Sequence, residues 1–211
     1  MEKDLKAQNV TSLTAIYAGT LFLMAIVHWG MEEVFAVSLQ LGQQTLVVVT
    51  ITGFSGVLSN FLPNSVKHQL VYFRFRNVLS GHRCRRICIK DPRLRLSDLE
   101  GRWPTLFLQE MSESEQNAYW YNEIYRPVRS DPGVVQAHRS FLLFRDAAAG
   151  LFVLLLGLLL WRAASEFAPV MALSTWSVMI LVGVILLLCQ AARQSGNRLV
   201  VNAVASALEG K

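Results

Sequence analysis

Apolar residues in this chain gather into near-continuous runs rather than into alternating or amphipathic stripes. Four such runs cover residues 10–29, 41–62, 141–161 and 169–192. Each approaches the ~20 residues with which a helix rising ~1.5 Å per residue crosses ~30 Å of hydrocarbon. They predict four transmembrane helices and leave one substantial connecting segment. The second run is the least apolar and carries a stripe at Ser38, Gly42, Thr45, Val49, Thr52, Gly56 and Ser59. Alternating steps of three and four put these on one helical face. Small and hydroxylated residues there suit close helix packing, within the bundle or between copies, or a hydrophilic pore lining in an oligomer.

Charge sets an expected orientation. Of the 20 Lys and Arg, 14 lie between Lys67 and Arg145, and only Arg162 falls on the other side of the runs from the rest. Basic residues near span ends mark the cytoplasmic face. Both termini and the connector are therefore expected in the cytoplasm of a bacterial inner-membrane protein. Lys3 and Lys6 before an apolar run suggest a signal peptide, but the run is long and no small-residue cleavage site follows, so it reads as a retained anchor. Cys84, Cys88 and Cys189 then occupy a reducing compartment or the membrane, and no disulfide framework is implied.

The connector supplies the local signals. Residues 65–77 mix Lys67, His68, Arg74 and Arg76 with Leu70, Val71, Tyr72, Phe73 and Phe75, as a helix at the inner membrane surface or, over 73–76, as strand-like alternation. Residues 96–103 read as a short helix stopped by Pro104. Ser112 and Glu115 form a capping-box pattern ahead of an aromatic helix over 113–126 that ends at Pro127. Asp131-Pro132 starts another helix, with no breaker before Pro169. That helix places Arg145 and Asp146 about one turn inside the inner boundary. Neighbouring positions point about 100° apart, so each is expected to find its own partner, Asp146 with Arg74 or Arg76. The pair reads as an interfacial anchor or as a latch between connector and bundle. Residues 198–208 form an amphipathic tail, lying on the membrane surface or against the connector.

Candidate chemistry is thin. Gly53-Phe54-Ser55-Gly56 matches the Gly-x-Ser-Gly of rhomboid intramembrane proteases, but no histidine lies at matching depth to act as its base. His28 with Glu32 and Glu33, and Cys84 and Cys88 with His82, each lack the ligands of a convincing metal site, so neither a metal nor a cofactor is expected. Basic residues with interleaved aromatics suit anionic lipid, a nucleotide or a nucleic acid. The candidates for that contact are Lys67, Arg74, Arg76, Arg83, Arg85, Arg86 and Arg93. No Gly-rich phosphate loop is present.

Residues 67–74 (KHQLVYFR), with Asn77, Gly81-His82-Arg83, Glu115-Gln116-Asn117, Trp120-Tyr121, Tyr125, Val135, His138-Arg139, Leu142-Leu143 and Arg145-Asp146, resemble a group of poorly characterised bacterial multi-pass proteins. The layout is also similar to that of membrane components of anti-phage defence systems. The expectation is a mainly α protein: a four-helix transmembrane bundle with a mostly helical cytoplasmic domain over residues 63–140, between spans 2 and 3. Residues 1–62 hold the N-terminal tail and the first two spans, 141–192 the last two, and 193–211 the tail. The expected function is non-enzymatic. The connector would dock a protein, nucleotide or nucleic-acid cue and pass it to the bundle of a homo-oligomer, with permeabilisation or scaffolding as output. A passive scaffold and a lipid-acting membrane enzyme are the alternatives. Tyr119, Trp120, Tyr121, His138, Arg139, Arg145 and Asp146 are the expected coupling and partner contacts.

Overall fold

Residues 10–29 contain neither proline nor Asp, Glu, Lys or Arg, and a segment of that kind satisfies its backbone internally as a helix. In the computed structural model, which describes residues 2–31, 57–58, 60–164 and 174–210, they form α2 (Val10–Trp29), preceded by α1 (Glu2–Gln8). Gly30 ends α2 at a φ of +91°, its N–H still reaching the Ile26 carbonyl. The connector holds α3 (Asn64–Tyr72), a 3₁₀ turn (Ser80–Arg83), α4 (Cys84–Lys90), α5 (Leu96–Arg102), α6 (Pro104–Phe107) and α7 (Glu113–Tyr119). A π-helical turn (Trp120–Tyr125) and the short α8 (Arg126–Val128) follow α7. Two long helices, α9 (Pro132–Ala164) and α10 (Thr175–Glu209), complete the described chain. Among the described residues every regular element is a helix.

Three of these helices, α2, α9 and α10, are long and apolar enough to cross a membrane. The expected second span lies almost entirely outside the described residues, as does its whole stripe of Ser38, Gly42, Thr45, Val49, Thr52, Gly56 and Ser59. Gly53–Gly56, Glu32 and Glu33 lie outside them too.

The chain divides into two units. Unit 1 comprises residues 1–67 and 143–189. Its interior is built from Leu13, Tyr17 and Met24 of α2, Ala147, Ala148, Ala149 and Leu151 of α9, and Leu181, Ile185 and Leu188 of α10. The alanine run lets backbones approach, as small residues do where helices pack in lipid. At Gly150 the approach is closest: a Cβ there would fall 1.6 Å from the Tyr17 hydroxyl. Ser177 donates to the Met24 carbonyl at 3.1 Å, and Thr14 and Thr20 turn their hydroxyls onto carbonyls of their own helix. Large apolar side chains also point outward, among them Phe22, Leu23, Leu159, Leu160, Met179 and Leu187. Water would penalise that arrangement; hydrocarbon does not.

Unit 2 comprises residues 68–142 and 190–211 and has a core of its own. Cys84, Cys88, Leu99, Trp103, Leu106, Phe107, Trp120, Ile124, Tyr125, Val134, Ala137, Leu199, Val200, Ala203 and Val204 pack together. The expected amphipathic tail is thus the last stretch of α10, unbroken from the fourth apolar run, with its apolar face in this core. No proline interrupts residues 193–208.

Three local expectations are corrected. The helix at residue 113 has the predicted capping box, Ser112 N–H to Glu115 Oε2 at 2.8 Å and Glu115 N–H to Ser112 Oγ at 3.3 Å. It then widens into the π turn and runs past Pro127 to Val128. Proline lacks an N–H and its ring crowds the carbonyl four residues back. The i−5 bond from Arg126 N–H to Tyr121 O loosens the turn just before it. Pro104 stops one helix but opens the next, as first-turn prolines do. Residues 73–76 are irregular rather than strand or helix.

Candidate functional site

Helix α4 places Arg86 and Lys90 four residues apart on one side, and two grooves of unit 2 share that ridge. The first encloses about 320 Å³ and is lined by His82, Arg83, Arg85, Ile89, Glu113 and Gln116 beside the ridge. The second, about 410 Å³, runs along Ile87, Asp91, Pro92, Asn197, Arg198 and Val201. The first gathers four formal cations against the single carboxylate of Glu113, which Arg74 partly occupies at 3.6 Å. Arg83 lies over the Tyr72 ring at 5.2 Å, a cation–π contact that holds the guanidinium against the wall. Burial pushes its pKa below the ordinary arginine value, helped by the neighbouring Arg74. Burial also lowers His82, whose Nδ1 faces the Leu79 carbonyl at 3.3 Å. A half-sheltered groove with this charge suits an anion presenting several oxygens.

The seven cations expected to face ligand or lipid separate into distinct places. Arg83, Arg85 and Arg86 line the first groove; Arg93 does not. Asp91 takes Arg93 Nε at 2.9 Å and Nη2 at 3.1 Å, and Asn202 takes Nη1 at 3.2 Å. The fork from Arg93 holds the Asp91 carboxyl below its usual range. Arg74 and Arg76 sit on the irregular segment after α3. Lys67 belongs to neither group: its side chain is 2% exposed and its ammonium lies 3.2 Å from Asp146 Oδ1 in unit 1.

That contact corrects two expectations about Asp146. Its partner from the connector is Lys67, not Arg74 or Arg76. Its helix neighbour also reaches it, with Arg145 Nε at 3.0 Å and Nη2 at 2.9 Å from the same oxygen. Helical geometry separates adjacent Cβ directions, but a four-torsion arginine side chain folds back far enough to close the gap. Three buried charges of net +1 thus meet near Tyr17, whose hydroxyl donates to the Asp146 carbonyl at 3.4 Å. Burial depresses the Lys67 pKa, while the Asp146 carboxylate opposes that shift.

The aromatic candidates cluster around the π turn. Trp120 and Tyr125 are buried and stacked at 5.2 Å, and Tyr121, half exposed, stacks on Tyr125 at 5.6 Å. Tyr119 packs on the core of unit 2, and His138 Nδ1 meets the Tyr125 hydroxyl at 3.0 Å. Arg139 is half-buried. Buried π turns recur at functional sites. Of the aromatic residues of this turn, Tyr121 is the exposed one. Sequence reasoning missed Tyr17 and Arg193. A lone tyrosine within an apolar run and the first arginine after one were the available signals.

Cys84 and Cys88 are buried, with sulfurs 3.8 Å apart. The described residues hold no group of three or more His, Cys, Asp or Glu able to bind a metal. Comparison with protein-family models, with curated proteins and with solved structures finds no match.

Proposed function

We propose that the chain is a non-enzymatic, four-span bacterial inner-membrane module with its connector and both termini in the cytoplasm. Unit 2 docks a cue carrying several anionic oxygens in the groove beside Arg83, Arg86 and Lys90, and the cue biases the packing of the membrane helices. The output is a change in bundle packing in a homo-oligomer, as permeabilisation or as recruitment at the membrane. One observation carries this reading. Helices α9 and α10 each hold core residues of unit 2 (Val134 and Ala137; Leu199 to Val204) and a long apolar run on the same uninterrupted helix. An unbroken helix is an element whose arrangement two sites can bias together.

The test uses the full chain in nanodiscs, with a fluorescent nucleoside triphosphate and a labelled oligonucleotide as probes. Binding read by anisotropy should fall when Arg86→Glu and Lys90→Glu are combined. Spin labels at Leu156→Cys and Met179→Cys should then report a changed distance on binding. Binding with an unchanged distance would mean a passive scaffold. Release of dye from loaded vesicles separates permeabilisation from recruitment.

A further inference from the structure

Unit 2 carries an apolar tip that its own core leaves uncovered. Helix α3 ends at Tyr72, and Phe73 follows at a φ of +49°, a left-handed conformation that a bulky aromatic adopts only when its surroundings demand it. Asn77 repeats the reversal at +47°. Between them Phe75 is 87% exposed and Phe73 59% exposed, with Arg74 and Arg76 alternating beside them. Two phenylalanines this bare on one turn make an exposed apolar patch, the kind of surface that marks a contact site.

Contacts within unit 2 fix where this segment stands along α10. Arg193 donates through Nε to the Val71 carbonyl, and its guanidinium covers the Phe73 ring at 4.5 Å. One turn on, Gly196 admits the Tyr72 hydroxyl, which would lie 2.3 Å from a Cβ there. Ser80 joins Tyr72 at 2.7 Å and Asn197 at 3.1 Å. The segment is therefore pinned to α10 at residues 193–197. Residues 175–192 of the same helix carry no Asp, Glu, Lys or Arg, and Trp176, strongly exposed, marks their beginning. Seventeen steps from Trp176 to Arg193 cover about 26 Å, close to the hydrocarbon thickness. That length fits Trp176 and Arg193 to opposite interfaces of a membrane that α10 would cross, where tryptophan and arginine are the usual anchors.

We infer that the turn over residues 73–77 is an interfacial anchor: Phe75 enters the boundary between headgroups and acyl chains while the exposed Arg76 engages anionic headgroups. The occupant is the lipid surface of the membrane that α10 crosses. The turn sits at the level of the span end, and its exposed Arg76 complements an anionic leaflet. The left-handed backbone at Phe73 turns the tip away from the core of unit 2, and the contacts to α10 hold it there. The proposal rests on α10 crossing the membrane and does not depend on any cue in the groove.

A nitroxide at Phe75→Cys in nanodiscs of mixed zwitterionic and anionic lipid tests it, with Glu123→Cys as the solvent reference and the unsubstituted chain as background. Both positions are exposed, so folding is unaffected. The label at residue 75 should be open to oxygen and shielded from a water-soluble nickel chelate, the reverse of residue 123. Each basic residue near an anionic surface changes a partition constant about fivefold, so adding Arg76→Gln should lower the ratio of immersed to withdrawn label by that factor. Nickel accessibility at residue 75 would overturn the inference. So would equal immersion without anionic lipid, or a label shielded from both reagents, which would point to a second protein copy. A label at Leu187→Cys that is open to nickel would instead remove the membrane reading of α10 itself.

Discussion

The ammonium of Lys67 and the carboxylate of Asp146 stand 3.2 Å apart in the interior of unit 1, joining residues 79 positions distant in sequence. Arg145 shares the same oxygen, so one carboxylate answers two cations. Removing the carboxylate takes from Lys67 and Arg145 the anion they share; removing the lysine leaves the Arg145–Asp146 pair in place. Asp146→Ala should therefore destabilise unit 1 by about 3–5 kcal/mol, whereas Lys67→Met should be near neutral. Thermal unfolding in detergent, followed by fluorescence, checks the contrast. Equal losses for both variants would show that Lys67 contributes more than charge.

Gly150 should be far less tolerant than two other helical glycines. A Cβ at Gly150 would meet the buried Tyr17 at 1.6 Å to the hydroxyl and 2.7 Å to Cζ, while nothing lies within 4 Å at Gly157 or Gly183. Overpacking of this kind costs about 1–3 kcal/mol. Alanine at either open position instead gains helix propensity worth up to about 1 kcal/mol. Tyr17→Phe should relieve Gly150→Ala only in part, because the ring carbon remains too close. Unfolding of the four single variants and of the double variant measures this.

Local and long-range features differ in how far the sequence exposed them. The apolar runs, the Ser112–Glu115 box and the start of α9 at Pro132 are written in neighbouring residues, where helix chemistry is decided. The continuation of α10 through residues 193–208 was half legible. Its apolar face was plain, but its partner core was assembled from five other segments. The Lys67–Asp146 contact was not legible. No local rule selects Lys67 over Arg74 or Arg76; the choice follows from where α3 ends, since Lys67 lies on the helix while Arg74 and Arg76 fall on the irregular segment beyond Tyr72. The π turn was hidden because Pro127 reads equally as a helix stop and as a cause of widening. The candidate cations separated only once the structure gave Lys67 a carboxylate 79 residues away and Arg93 one two residues away.

The three cysteines should be silent toward thiol reagents in the folded protein. Cys84 and Cys88 are fully buried and Cys189 nearly so. The Cys88 sulfur and burial together push the Cys84 thiol up, which starves it of reactive thiolate. Pulsed alkylation at neutral pH with mass spectrometry should find all three unmodified until denaturant is added. Cys84 and Cys88 should then react together, since they belong to one core. Prompt modification of Cys84 and Cys88 without denaturant, with Cys189 still protected, would mean that α4 opens independently.

His82 gives unit 2 a defined response to acid. Burial lowers its pKa below the ordinary 6.5, and Arg83 and Arg74 add to that shift, while the Leu79 carbonyl and Glu113 oppose it. A histidine that is harder to protonate folded than unfolded binds fewer protons in the native state. Stability then rises with pH wherever the unfolded chain is the more protonated. The contribution of His82 is complete above the unfolded value and disappears as pH falls through 6.5 toward the lowered native value. Urea unfolding followed at pH 5 through 8 should show stability declining below 6.5. His82→Gln, which cannot titrate, should flatten that part of the profile and leave the unfolding of Asp146 variants unchanged. An identical decline in His82→Gln would assign the acid response to another group. Native His82 takes up its own proton only as pH passes the lowered native value, and it then adds a fifth cation to the groove beside Arg83 and Arg86. Anion binding should therefore tighten at a lower pH than that at which unit 2 begins to lose stability, and binding and unfolding measured on one sample should show the two steps in that order.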